Sequence, residues 1–122
     1  MAKNKLTGQW GEVLAAAFLK KKRYKIIACN YSCRFGEIDL IAKNRQFIVF
    51  VEVKLRKSAD FAQAREFVDL RKQSRIRMTA ELWLSQNETQ LQPRFDVIEI
   101  YAENGVIKAL NHLENAFELS LF

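Results

Sequence analysis

The chain has 122 residues, of which 49% are hydrophobic and 28% are charged, and its formal net charge is +6. This length and apolar content predict one compact domain, spanning residues 1–122, with its own hydrophobic core. No apolar run approaches the ~20 residues of a membrane span, and no segment is arranged like a signal peptide. A cytoplasmic protein without a membrane-embedded part is therefore expected.

The positive charge favours a polyanionic partner, because each phosphate that a protein neutralises releases counterions. The basic residues are concentrated in two segments, residues 20–25 and residues 71–77. The alternative interpretation is a basic surface that is merely solvated. Of the two, nucleic acid, with DNA as the first choice, is the predicted partner.

The predicted elements begin with a helix from Thr7 to Lys22, in which apolar residues recur at helical spacing and Thr7 supplies the cap. A strand follows over residues 26–31, and two further strands surround Asp39 and Glu52. The polar residues 56–60 then interrupt the pattern and predict a loop.

The second half is predicted to contain a helix over residues 68–84 and a strand over residues 95–101, which follows Pro93. Asn104-Gly105 predicts a hairpin turn into a last strand over residues 106–110. The resulting order, α-β-β-β-α-β-β, predicts an α/β fold with a central mixed sheet flanked by helices.

Charged residues interrupt two strands that should be apolar. The segments Gly36-Glu37-Ile38-Asp39-Leu40-Ile41 and Phe50-Val51-Glu52-Val53-Lys54 carry Asp39, Glu52 and Lys54. A charged group on a mostly buried strand costs free energy unless it is paired or binds a metal. The alternative interpretation is a pair of interstrand salt bridges, of Asp39 or Glu52 with Lys54 or a nearby arginine, since isolated acidic residues are common on edge strands.

The register of this hairpin decides whether the charges meet. In an unbulged hairpin with an even-numbered loop, the numbers of paired residues add to an odd value. Sums of 89 or 91 both place Asp39 on the face of Glu52, directly opposite or diagonal to it. Two carboxylates at that spacing suit Mg²⁺ or Mn²⁺, which prefer oxygen ligands. Such a site predicts phosphodiester hydrolysis, with Lys54 near the attacking water or the developing oxyanion.

Four further residues are candidates for substrate binding. Arg34 precedes the acidic strand and Arg56 follows the second one, so both are expected at the rim of the site, where they would bind phosphates. Lys72 and Gln73 are expected on a helix face that extends toward the site. For Gln73 the preferred interpretation is a solvated helix edge.

The remaining polar residues predict structural roles. Cys29 and Cys33 lack further ligands for a zinc site within one chain and are expected to be small buried or half-buried residues. His112, the single histidine, has no partner for a nucleophilic triad. Asp96 is expected to be structural and to pair with Arg94.

Several motifs together resemble one bacterial family. They are Gly11-Glu12, the two charged strand segments, Arg94-Phe95-Asp96-Val97-Ile98 and Asn115-Ala116-Phe117. In this order they are similar to the YraN-like family of uncharacterised bacterial proteins, over nearly the whole chain. That family resembles the PD-(D/E)xK nucleases, whose restriction-endonuclease-like fold includes the archaeal Holliday junction resolvases. The resemblance implies a single nuclease-like domain.

The resemblance also implies roles for individual residues. Asp39 matches the aspartate of the nuclease motif, Glu52 and Lys54 match its ExK portion, and Glu12 matches a helix-borne acid that completes some of these sites. The implied metal ligands are Asp39, Glu52 and Glu12. From the sequence alone, Glu12 is equally well explained as an ordinary acid in the first turn of a helix. Ile38 stands where the motif's name has proline, a variation that the fold tolerates.

Two functions remain open at this point. The first is a metal-dependent endonuclease that acts on DNA, including branched or damaged DNA. The second is a non-catalytic nucleic-acid-binding module that keeps the fold and the basic surface. The clustered charges favour the first. A homodimer would supply two sites for cutting two strands, although no residue pattern requires it.

Overall fold

The computed structural model describes residues 8–57 and 69–117. Within them lie α1 (Gly8–Lys21), β1 (Lys25–Cys33), β2 (Gly36–Lys43), β3 (Phe47–Lys57), α2 (Leu70–Gln86), β4 (Gln92–Glu103) and β5 (Val106–Phe117). The predicted order of helices and strands is confirmed. The predicted cap Thr7 and the predicted start of the second helix at Val68 lie outside the described residues.

The five strands form one sheet in the order β1-β2-β3-β4-β5. Neighbouring strands are antiparallel except for β3 and β4, which are parallel. The sheet is therefore mixed, as predicted. Parallel neighbours need a long connection between them, and α2 lies within that connection.

The two helices contribute to two different apolar clusters. Ile76 and Trp83 of α2 lie in one cluster with Phe50 of β3. Leu19 of α1 lies in the other with Val51, the next residue of the same strand. Because successive side chains of a strand point to opposite faces, the helices cover opposite faces of the sheet. No described helix is long and apolar enough to cross a membrane.

Strands β4 and β5 are longer than predicted. β4 already includes Pro93, which pairs only with β3, because the pairing with β5 begins at Phe95. Proline is tolerated in a strand where its missing N–H is not needed for a second neighbour. The predicted turn at Asn104 and Gly105 is present, with φ values of 51° and 78° that suit the mirror-image hairpin turns.

Candidate active site

Strands β2 and β3 separate next to Asp39. The numbers of their paired residues add to 91, which is one of the two predicted sums. The pairing runs from Lys43–Ile48 to Leu40–Val51. At the next position, the backbone N–H of Val53 donates to Asp39 Oδ2 over 2.8 Å. A side-chain carboxylate thus takes the place of a backbone acceptor, which fixes Asp39 at the opening between the strands.

The helix α1 brings Glu12 to this opening. Gly11 lies close to the sheet, since a Cβ atom there would be 3.4 Å from Val53 Cγ1. The next residue, Glu12, is half-buried and interacts with Asp39 through both a hydrogen bond and its charge. The close approach of α1 to the sheet at Gly11 therefore places Glu12 beside Asp39.

The surroundings of Asp39 disfavour its negative charge. Burial raises the pKa of Asp39, and the charge of Glu52 raises it further. The charge of Glu12 and its hydrogen bond to Asp39 raise this pKa as well. The hydrogen bond from Val53 works in the opposite direction, and the resulting pKa is about 7. Neighbouring carboxylates repel each other when all are ionised, so the pKa of at least one is raised. Raised pKa values of this kind are concentrated at functional sites.

Glu52 has a cation of its own. Glu52 is only 8% exposed, and its Oε2 lies 2.5 Å from the ammonium Nζ of Lys72 on α2. Partial burial lowers the pKa of Lys72, but the hydrogen bond and charge of Glu52, with the charge of Asp39, raise it above its ordinary value. Lys54 also lies next to Lys72.

Five of the eight predicted site residues thus interact with one another, through hydrogen bonds, an ion pair or their charges. They are Glu12, Asp39, Glu52, Lys54 and Lys72.

The other three predicted residues have different surroundings. Arg34 is exposed, and its guanidinium lies 4.6 Å from the centre of the Phe35 ring. Arg56 is still within β3, and its Nε lies 3.5 Å from Glu99 Oε2. Gln73 is half-buried on α2, beside Lys72 in the chain.

Glu99 was missed by the sequence analysis. This residue of β4 is 1% exposed and pairs in register with Lys54 of β3. The signal was present, because Glu99 interrupts an apolar strand in the same way as Asp39 and Glu52 do. Its burial beside Lys54 and Arg56 extends the charged cluster to a third strand, β4.

The donor atoms suit a hard divalent cation. Mg²⁺ is commonly bound by one or two carboxylates, with water and substrate phosphates completing its six ligands. Asp39 and Glu52 supply such a pair. In residues 8–57 and 69–117, no three Asp, Glu, His or Cys side chains are arranged to hold a metal ion by themselves. Lys72 is the cation that contacts Glu52 in this arrangement.

A second charged cluster lies around Asp96, which is fully buried. Arg94 Nε and Nη2 donate to its two oxygens over 2.9 and 2.8 Å, and His112 Nε2 lies 2.7 Å from Oδ2. Burial raises the pKa of Asp96, but the hydrogen bonds from His112, Arg94 and the Asn115 backbone outweigh it, so the pKa is below its ordinary value. The pairing of Asp96 with Arg94 is as expected, and His112 belongs to the same structural network.

An open groove of about 460 Å³ runs beside Glu12, between α1 and the edge strand β1. It extends to Lys20, the first residue of the basic segment 20–25. Cys29 lines this groove and is exposed, so the expectation that it would be at least half-buried is wrong. Cys29 lies on β1, the edge strand of the described sheet, and borders this open groove, so solvent reaches it. Cys33 is half-buried, as expected.

A mixed five-stranded sheet between two helices, with acids and lysines gathered where two strands separate, defines an α/β protein with a charged cleft. Residues 11–100 match the model of the uncharacterised protein family UPF0102. The chain is 47% identical over 116 residues to a UPF0102 protein of Caldanaerobacter subterraneus subsp. tengcongensis, covering 93% of this chain and 95% of the relative.

Other relatives give the same result. A UPF0102 protein of Alkaliphilus oremlandii is 46% identical over 117 residues, covering 93% of this chain and 99% of the relative. A UPF0102 protein of Geobacter metallireducens is 42% identical over 118 residues, with 96% of each chain covered. The protein belongs to the UPF0102 family, the family of the YraN-like proteins.

Proposed function

We propose that this protein is a metal-dependent endonuclease that hydrolyses phosphodiester bonds of DNA. The observation that carries the proposal is the gathering of Asp39, Glu52 and Lys54 at one opening of the sheet, with Glu12 beside them. Asp39 is anchored by a backbone N–H and Glu52 is nearly buried, so both carboxylates have fixed positions. Fixed charges are what a hydrolytic site requires.

Each residue has a proposed role. Asp39 and Glu52 would hold Mg²⁺ or Mn²⁺, and Glu12, which is hydrogen-bonded to Asp39, would join them only if its side chain moved toward the metal. A divalent cation bound there supplies charge for the attacked phosphate and acidifies a water molecule. Lys54 would donate to the attacking water or to a phosphate oxygen as negative charge develops on it. Glu12 and Asp39 share a hydrogen bond, so a proton at that contact would leave when the site is loaded.

The proposed substrate is DNA, including branched or damaged DNA. The exposed residues Lys20, Lys21 and Arg23 continue from the groove beside Glu12 and would bind the phosphate backbone. Four other basic or polar residues remain proposed contacts to substrate: Arg34, Arg56, Lys72 and Gln73. A cytoplasmic location and a homodimer, which would place two sites on two strands, complete the proposal.

A cleavage screen tests the activity. The purified protein is incubated with Mg²⁺ or Mn²⁺ and with linear, branched and single-stranded DNA. We expect the wild type to nick or cut one of these substrates, and Asp39→Ala and Glu52→Ala to abolish cutting while DNA binding persists. Glu37→Ala is the matched control, because Glu37 is an exposed acid of the same strand as Asp39. Cutting at the wild-type level in either cluster variant would contradict the assignment.

A second candidate function is a DNA-binding module without activity. The ion pair of Lys72 with Glu52 favours it, since an internal cation neutralises the nearly buried acid without a metal. This candidate predicts salt-dependent binding with no cleavage of any of the three substrates, at any concentration of Mg²⁺ or Mn²⁺.

A further inference from the structure

Lys72 occupies an unusual place for a lysine. It lies in the first turn of α2, where the structure has no acidic residue and where Arg71 is a second cation. The positive end of the helix dipole is at this terminus and favours acids, so each cation here costs a few tenths of a kcal/mol. Asp69 caps the helix by accepting from the backbone N–H of Lys72. The helix itself therefore gains nothing from the Lys72 ammonium.

What Lys72 contacts explains its place. Its ammonium is 2.5 Å from Glu52 Oε2 and is also attracted by the charge of Asp39. The side chain of Glu52 is 9% exposed, whereas that of Lys72 is 42% exposed. A nearly buried carboxylate without a partner is costly, so one cation has to be beside it. The carboxylate is fixed by its strand, and the ammonium sits on a flexible four-carbon stem.

We propose that Lys72 is the resident cation of this site, and that its ammonium leaves Glu52 when a divalent metal binds there. The inference deepens the proposed nuclease function and rests on the metal site of that proposal. A divalent cation on Oε2 of Glu52 and an ammonium 2.5 Å from the same oxygen would repel each other strongly, so the two compete for this carboxylate. The partly exposed stem lets the ammonium turn toward solvent without any movement of α2.

The exchange has two consequences. Lys72 lowers the affinity for the metal, because the metal has to displace an ion pair. The displaced ammonium remains at the mouth of the cleft, next to Lys54, where it can bind a DNA phosphate. Binding of the metal therefore turns Lys72 from a partner of Glu52 into a contact for substrate.

Titration with Mn²⁺ alone, followed by calorimetry, tests the exchange without any activity measurement. We compare the wild type with Lys72→Met, which keeps the apolar stem, and with Glu52→Gln. Arg71→Met is the matched control, because it removes the same charge from the same turn at an exposed position. We expect Lys72→Met to bind Mn²⁺ about tenfold more tightly than the wild type. Arg71→Met should change the affinity by less than about threefold.

The outcomes separate the two proposals. Equal affinity in Lys72→Met and Arg71→Met, with binding lost in Glu52→Gln, would overturn the role of Lys72 and leave the metal site standing. If neither the wild type nor Lys72→Met binds Mn²⁺, both the metal site and the exchange are wrong. Tighter binding in Lys72→Met that Glu52→Gln abolishes supports both.

The wild-type protein offers a second test that needs no variant. Brief acetylation with and without saturating Mg²⁺, read by peptide mass spectrometry, measures how available each lysine amine is. We expect Mg²⁺ to raise the labelling of Lys72 several-fold, because its amine leaves Glu52. Lys21, an exposed lysine of α1, serves as the internal reference and should label equally in both conditions. Unchanged labelling of Lys72 at saturating metal would overturn the exchange.

Discussion

Asp39→Asn should make the metal-free protein more stable at alkaline pH. Burial and the nearby charge of Glu52 raise the pKa of Asp39 to about 7, so above that pH the folded protein carries a charge that its surroundings disfavour. Asparagine has nearly the same shape, carries no charge, and keeps an oxygen that can accept from the Val53 N–H as Asp39 does now. The substitution therefore removes the cost and keeps the anchoring hydrogen bond.

The size of the effect follows from the pKa. In the unfolded chain Asp39 has its ordinary pKa of 3.8, and the rise to about 7 in the folded protein corresponds to about 4 kcal/mol. Asp39 is only half-buried, so screening by water reduces this to about 2 kcal/mol. The folded protein binds the extra proton between these two pKa values. The free energy of unfolding of the wild type therefore falls as the pH rises from about 4 to 7 and stays low above that.

Urea unfolding in EDTA, followed by the fluorescence of the buried Trp83, measures the difference at pH 4.5 and pH 8.5. We expect Asp39→Asn to be about 2 kcal/mol more stable than the wild type at pH 8.5 and to lose most of this advantage at pH 4.5. Glu37→Gln, which changes an exposed acid of the same strand, is the control and should have little effect. An Asp39→Asn variant that is less stable than the wild type at pH 8.5 would refute the reasoning.

Two further substitutions test how the fold positions the site. Gly11→Ala should be tolerated and should stabilise the protein by about 0.5–1 kcal/mol, because its Cβ would make an ordinary contact 3.4 Å from Val53 Cγ1 and alanine favours helices. Gly11→Leu should cost about 1–3 kcal/mol by pushing α1 off the sheet; equal unfolding midpoints for both variants would contradict this. Asp96→Asn should cost about 3 kcal/mol in urea unfolding at pH 7, because it removes the buried carboxylate of Arg94 and leaves only the more distant, half-exposed Glu114 as its acidic partner. Since the pKa of Asp96 is lowered, this loss should shrink as the pH falls below about 4.

The fold was largely predictable because its signals are local. Apolar periodicity predicted the order of helices and strands. Assuming an even-numbered loop between β2 and β3 restricted the register to two choices, and the observed one, in which paired residue numbers add to 91, is among them. The bounds were less predictable where tertiary contacts decide them. β5 runs on to Phe117 through polar residues because β4 lies beside it, and the Asn115 N–H donates to Asp96.

The site was predictable only in part. Asp39, Glu52 and Lys54 could be grouped because they lie on neighbouring strands joined by a short loop. The ladder, however, ends one pair before Asp39, and no strand pattern reveals where two strands separate. The contact of Lys72 with Glu52 depends on how α2 packs against the sheet after a long connection. The sequence therefore predicted that Lys72 lies near the site but not that Glu52 is its partner.

The three acids of the site favour a metal-dependent activity over DNA binding alone. A protein that only binds DNA gains nothing from Glu12, Asp39 and Glu52 in its charged cleft, because each of them repels phosphate. The burial of Asp39 and its repulsion by Glu52 and Glu12 also disfavour the folded state, which is why the pKa of Asp39 is raised. Lys72 offsets part of this cost, through its contact with Glu52 and through the charge of Asp39. Such a residual cost is typical of sites that are built for a ligand, because a bound cation would remove it. The increase in stability on adding Mn²⁺ should accordingly be larger for the wild type than for Asp39→Asn, and an equal increase would favour the binding module.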